Sequence, residues 1–121
     1  MENSEVKARK YLKKLHPKGY IKKMPDFKIT GMLKGGMPDY LVIEKGKTIW
    51  YEIKTLDQKK KSFPASSFTN QQMIEFRLMY KAKANIKILL YHGKNYYLFN
   101  WSLIYNHFIN NNKSIKINML R

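Results

Sequence analysis

A chain of 121 residues with 44% hydrophobic content suffices for one domain built on one core, and no apolar run in it approaches membrane-spanning length. Cysteine is absent, which excludes disulfides and thiolate metal sites; with no signal-peptide pattern at the N-terminus, a cytoplasmic address is expected. Twenty-four basic residues against eight acidic ones give a net charge of +16, an excess that selects a polyanion, nucleic acid above all; a membrane surface would also attract it, but no strongly amphipathic basic helix is long enough to favour one.

All but three of the basic residues (Arg9, Arg77 and Arg121) are lysines. Lysine meets phosphate as a point charge, whereas base edges are read mostly by the planar guanidinium of arginine. The composition therefore favours recognition of backbone and shape over sequence.

In chain order, residues 4–15 read as a first helix with Ser4 as its N-cap and Ala8, Tyr11, Leu12 and Leu15 at helical spacing. Glu5 falls near that apolar face in the first turn. Two readings stay open for it: an acid that complements the helix dipole, or one that reaches toward the hairpin that follows. Glu2 takes its place if the register differs. His16-Pro17-Lys18-Gly19 ends the helix, and Tyr20–Met24 forms a short strand. Residues 26–37 hold three of the six glycines together with Lys28 and Lys34. They read as a basic loop able to grip a phosphate.

Next come Tyr40–Ile43, the turn around Lys45-Gly46-Lys47, and Thr48–Lys54, a strand-turn-strand. Alternation sends Ile49, Tyr51 and Ile53 to one face and Trp50, Glu52 and Lys54 to the other. The tight turn brings the start of the first strand beside the end of the second, so Asp39 meets Glu52 across thirteen residues. Two carboxylates and one amine converge. Such a group can hold Mg²⁺, polarise a phosphodiester and acidify a water, with the lysine orienting that water or balancing developing charge. Glu-x-Lys alone describes an ordinary ion pair on a wet strand face; Pro38-Asp39 at the head of the hairpin sets this one apart.

Beyond the hairpin, Gln58-Lys59-Lys60-Lys61-Ser62 is strongly positive, and Lys59, Lys60 and Lys61 are candidate backbone contacts. Phe63, Pro64 and Phe68 offer apolar anchors. Thr69-x-x-Gln72 matches a capping box opening a second helix, whose core face comprises Met73, Phe76, Tyr80 and Ala84, broadened by Ile74 and Leu78. Ile86–Tyr91 is a nearly continuous apolar strand of the kind buried on both faces. A turn at Gly93-Lys94-Asn95 leads to the strand Tyr96–Phe99, and Asn100 caps a helix, Trp101 to about Phe108, that adds Leu103, Ile104 and Phe108 to the core. His16, His92 and His107 stand in no motif and read as structural. Residues 109–121 form a tail element, a strand or short helix with the option of adding to a partner subunit.

Pro38-Asp39, Glu52 and Lys54 resemble the PD-(D/E)xK nuclease superfamily. Ser62-Phe63-Pro64, Phe68 and Gln72, in that order, resemble Holliday junction resolvases of the bacterial RecU type and their archaeal relatives. Size, lysine richness and N-terminal layout are similar to the small resolvases of archaea and of their rod-shaped viruses, for which the address is the host cytoplasm. The matching stretch runs from about Gly36 to Leu90.

The resemblance implies a single α/β domain over residues 1–121, restriction-endonuclease-like, with a mixed β-sheet flanked by helices and the site at a sheet edge. It implies an Mg²⁺-dependent endonuclease, Mn²⁺ substituting, in which Asp39, Glu52 and a helix-borne Glu5 hold metal, Lys54 is catalytic and Gln72 lies at the rim. Its substrate is a four-way DNA junction, and a homodimer makes the paired nicks. Another repair or restriction-like nuclease and a non-catalytic nucleic-acid-binding protein are the alternatives. The complete Pro-Asp and Glu-x-Lys set weighs against the second.

Overall fold

The computed structural model describes residues 4–25, 36–110 and 112–120. Helix α1 (Ser4–Leu15) buries Ala8 and Leu12 completely, as their spacing requires, but Leu15 at its end is 41% exposed. Strand β1 (Tyr20–Lys23) pairs antiparallel with β2 (Tyr40–Glu44), which pairs antiparallel with β3 (Lys47–Leu56). The β2–β3 turn places Lys45 and Gly46 at φ 53° and 78°. Two successive positive φ values match the right-handed twist of a hairpin, and glycine takes the second at no steric cost.

After β3 come β4 (Ser62–Pro64), helix α2 (Asn70–Lys81), β5 (Ile86–His92), β6 (Asn95–Asn100), helix α3 (Trp101–Phe108) and β7 (Ser114–Lys116). The main sheet has the order β1-β2-β3-β5-β6, and only its β3–β5 pair is parallel. A parallel pair needs a crossover, here carried by α2. Strand β5 lies inside the sheet with Ile86, Ile88, Leu89 and Leu90 buried, which explains its nearly continuous apolar run, broken only at Lys87. Among the described residues no helix is long and apolar enough to cross a membrane.

The sheet separates two apolar clusters. Leu12, Tyr40, Val42 and Tyr51 pack with Ile21, Ile49, Ile53 and Leu98 on one face. The larger cluster, on the other, gathers Phe63, Phe68, Phe76, Trp101, Ile104 and Ile115. Four side chains expected in the core of α2 and α3 are exposed instead: Ile74, Leu78 and Tyr80 on α2 by 50%, 53% and 38%, and Leu103 on α3 by 41%. Trp101 fills the space instead, fully buried and stacked on Tyr105 with ring centroids 4.9 Å apart. Asn100 occupies the N-cap position of α3 without a side-chain cap bond. In the tail, β7 pairs antiparallel with β4 of the same chain, setting Ile115 opposite Phe63.

Under α1 a polar group is sealed into the first cluster. His16 Nε2 and the Tyr51 hydroxyl share a 2.6 Å hydrogen bond, and His16 Nδ1 lies 3.0 Å from Glu44 Oε1. Burial pushes the Tyr51 phenol up to about 12, and the His16 bond holds Glu44 below the usual carboxylate range. Tyr51→Phe keeps the ring and strands a buried imidazole nitrogen, so it should cost about 1–3 kcal/mol. Urea unfolding measures this, and an unchanged midpoint would count against the bond.

Candidate active site

The hairpin register sets Tyr40 opposite Tyr51, which puts Asp39 one step further on beside Glu52. Asp39 is tied at two points. Its Oδ2 accepts a 2.8 Å hydrogen bond from the Ile53 amide, and its carbonyl accepts one of 2.8 Å from Met24. Just upstream, Gly36 lies against α2, where a Cβ would come within 2.6 Å of Glu75 Cγ and 3.1 Å of the Gln71 carbonyl oxygen. Only glycine lets the chain enter β2 that close to the helix.

Glu52 projects from β3 toward α2 and is 3% exposed. Its Oε2 accepts a 2.8 Å hydrogen bond from Gln72 Nε2 and lies 3.3 Å from Lys54 Nζ. Its Oε1 is buried with no hydrogen-bond partner. Burial first, then the charge of Asp39, raises this carboxyl to about 7, against the opposing pull of Lys54 and Gln72. A carboxylate oxygen taken out of water without a partner is costly. A cation at Oε1 would relieve that cost, and paired carboxylate oxygens are the donors a hard divalent ion prefers. The residues therefore fit such an ion.

Among the described residues no group of three or more His, Cys, Asp or Glu side chains could hold a metal ion, so Asp39 and Glu52 meet as a pair. Glu5 is not brought to Asp39 and Glu52. It sits in the first turn of α1, half exposed, in an ion pair with Lys23 of β1.

Lys54 is held on all sides. Its Nζ donates to the Ser67 carbonyl at 2.5 Å and to Gln72 Oε1 at 3.1 Å, faces Glu52 Oε2, and stands 4.7 Å from the centroid of the Phe68 ring. The Glu52 contact, at 3.3 Å, is the longest of its three oxygen contacts. Gln72 closes the capping box of α2 and also reaches Lys54 and Glu52. Its backbone amide donates a 3.0 Å hydrogen bond to Thr69 Oγ1, its Oε1 accepts from the Thr69 amide at 3.1 Å to complete the capping box, and the same side chain bridges Lys54 and Glu52. The start of α2 and the site are thus fixed by one residue.

Two parts of this seat have no motif. The Ser67 carbonyl is a backbone group that any residue could present, and Phe68, read as an apolar anchor, also lies beneath the ammonium. Lys59, Lys60 and Lys61 are exposed just past the end of β3. Lys28 and Lys34 lie outside the described residues. The histidines are hydrogen-bonded within the fold: besides His16, His92 Nε2 bonds the Lys60 carbonyl at 2.7 Å and His107 Nε2 the Ser114 carbonyl at 2.8 Å.

No protein-family model and no curated protein matches the sequence. Among solved structures the chain is similar to Hjc, a Holliday junction resolvase from the archaeal hyperthermophile Archaeoglobus fulgidus, with a TM-score of 0.54 and 14% identity over 83% of this chain and 76% of that one. The five-stranded mixed sheet flanked by helices has the α/β fold of that resolvase.

Proposed function

We propose that the protein is a metal-dependent endonuclease that cuts branched DNA and resolves four-way junctions by paired nicks. The observation that carries this reading is the buried, unpartnered Oε1 of Glu52 beside Asp39 and Lys54. Asp39 and Glu52 would hold Mg²⁺, or Mn²⁺ in its place, and the ion when bound supplies the charge that polarises the scissile phosphate and acidifies a water.

The chain's own groups do the rest. Gln72 fixes one oxygen of Glu52 and leaves the other available. Lys54, seated on Ser67 and Phe68, can exchange its long Glu52 contact for a phosphate oxygen or a water and so oppose the negative charge that develops in the transition state. Lysine-rich surfaces bind strand backbones without reading bases. A two-fold dimer would present two such sites to a junction of matching symmetry, and exposed Ile74 and Leu78, four residues apart on α2, supply apolar surface for it.

The test is a labelled four-way junction incubated beside linear duplex, flap and single strand, with Mg²⁺ or with EDTA. Paired metal-dependent nicks in the junction are expected. Tight binding with no cutting in either Mg²⁺ or Mn²⁺ would leave a DNA-binding protein and remove the nuclease. Gln72→Glu examines the rim residue separately. Glutamate still completes a capping box, but the donor to Glu52 becomes a second carboxylate, so cleavage should fall roughly 10- to 100-fold while the circular dichroism spectrum and junction binding persist. Unchanged cleavage would reduce Gln72 to a cap.

A further inference from the structure

Beyond the end of β3 the structure forms a second concave site. The lysine run 59–61, the tail at Lys116 and Ile117, and Tyr97 of β6 line a cleft of about 480 Å³. No carboxylate is among the described residues that line it. Segments distant in sequence supply its four lysines, Lys59, Lys60, Lys61 and Lys116, because β7 returns to pair with β4 and sets Lys116 opposite Ser62.

A run of lysines is ordinarily a mobile, solvated surface, but this one is anchored along its backbone. The Lys59 amide donates to Asp57 Oδ1 at 2.8 Å, the Lys60 carbonyl accepts from His92 at 2.7 Å, and the Lys61 carbonyl accepts from the Ile117 amide at 3.0 Å. Gly93, at φ 63°, gives Gln58 room: a Cβ there would lie 2.8 Å from Gln58 Cβ. The ammonium groups are therefore carried on a fixed rim around an apolar wall of Tyr97 and Ile117.

We infer that this cleft receives an unpaired nucleotide of the DNA strand that runs through the active site, its base against Tyr97 and its neighbouring phosphates on the lysine rim. The inference rests on the reading of the protein as one that acts on DNA. Three features select this occupant. A duplex presents a convex backbone that exposed lysines could meet without a cleft, whereas a flat aromatic base needs a recess with an aromatic wall. Four lysines exceed what one free phosphate requires and suit a run of them. The cleft also follows Leu56, four residues past Glu52 and about 13 Å along the strand, within reach of the same DNA strand. A base beside a branch point, where stacking is interrupted, is the one most easily drawn out. The cleft would then favour branched over continuous DNA.

The experiment uses a single-stranded oligonucleotide carrying 2-aminopurine, and a duplex of the same length, each titrated with the full chain in EDTA. Wild type should quench the 2-aminopurine on binding. Tyr97→Leu, which keeps the apolar volume and removes the aromatic face, should lose the quench and bind the single strand roughly tenfold more weakly, with duplex affinity changed less than twofold. Tyr97→Phe should restore both. Lys116→Glu, at an exposed position that leaves the core intact, should lower the salt dependence of single-strand binding by about one unit of slope. Wild-type quenching in Tyr97→Leu, or equal weakening of single strand and duplex in it, would overturn the inference. The catalytic reading fails or stands on different data: Asp39→Asn should quench as wild type does, and loss of its cutting bears only on the active site.

Discussion

Asp39→Asn should reduce junction cleavage by on the order of 10³-fold, about 4 kcal/mol of transition-state stabilisation, and leave junction binding intact. Asparagine has the same shape, and its carbonyl can still accept the 2.8 Å hydrogen bond from Ile53 that ties the head of β2 to β3. Only the charge is lost. In a chain of net charge +16 that loss can only favour association with a polyanion, so a fall in cutting could not be ascribed to weaker binding. Single-turnover cleavage in Mg²⁺ and fluorescence anisotropy in EDTA measure the two quantities on the same junction. Cutting at the wild-type rate would remove Asp39 from the chemistry.

The second large effect concerns stability. The Glu52 carboxyl stands near 7 in the folded protein and at 4.5 as a free side chain. The folded state therefore binds this proton more tightly than the unfolded state. The metal-free protein should be most stable with respect to this group below about pH 4.5 and lose that stability as pH rises through 7. At 1.36 kcal/mol per unit, the loss amounts to about 3 kcal/mol. Glu52→Gln cannot ionise. Compared with it by urea unfolding in EDTA from pH 5 to pH 8, wild type should lose about that much stability relative to the variant. Parallel curves would mean that Glu52 is solvated and that its environment is not the one described. The group is thus a local cost in the metal-free protein, at a position where a cation would turn it into a gain.

Much of this site was legible in the sequence because hairpins obey short-range rules. Period-two alternation assigned Glu52 and Lys54 to one face, Lys45-Gly46 announced the turn, and the register that follows brings Asp39 to Glu52. Gln72 was legible for the same reason, since a capping box is a three-residue spacing. What escaped depends on contacts between remote elements. Helical spacing placed Glu5 near the apolar face of α1 but could not say that Lys23 of β1 would take its carboxylate. Ile74 and Leu78 widen the apolar arc of α2, and only the packing of the sheet decides which part of that arc is covered. Strands β4 and β7 are three residues each, too short for any periodicity, so their pairing and the cleft it closes had no signature.

Calorimetric titration of Mn²⁺ at pH 7 into wild type, Glu52→Gln and Asp39→Asn, in two buffers of different ionisation enthalpy, tests the assignment of the metal site most directly. With a carboxyl near 7, wild type should bind Mn²⁺ and release a substantial fraction of a proton. Glu52→Gln should lose that release, and both variants should bind at least tenfold more weakly. Equal affinity and equal proton release in all three proteins would show that Glu52 and Asp39 hold no metal and would contradict the proposed active site at its centre.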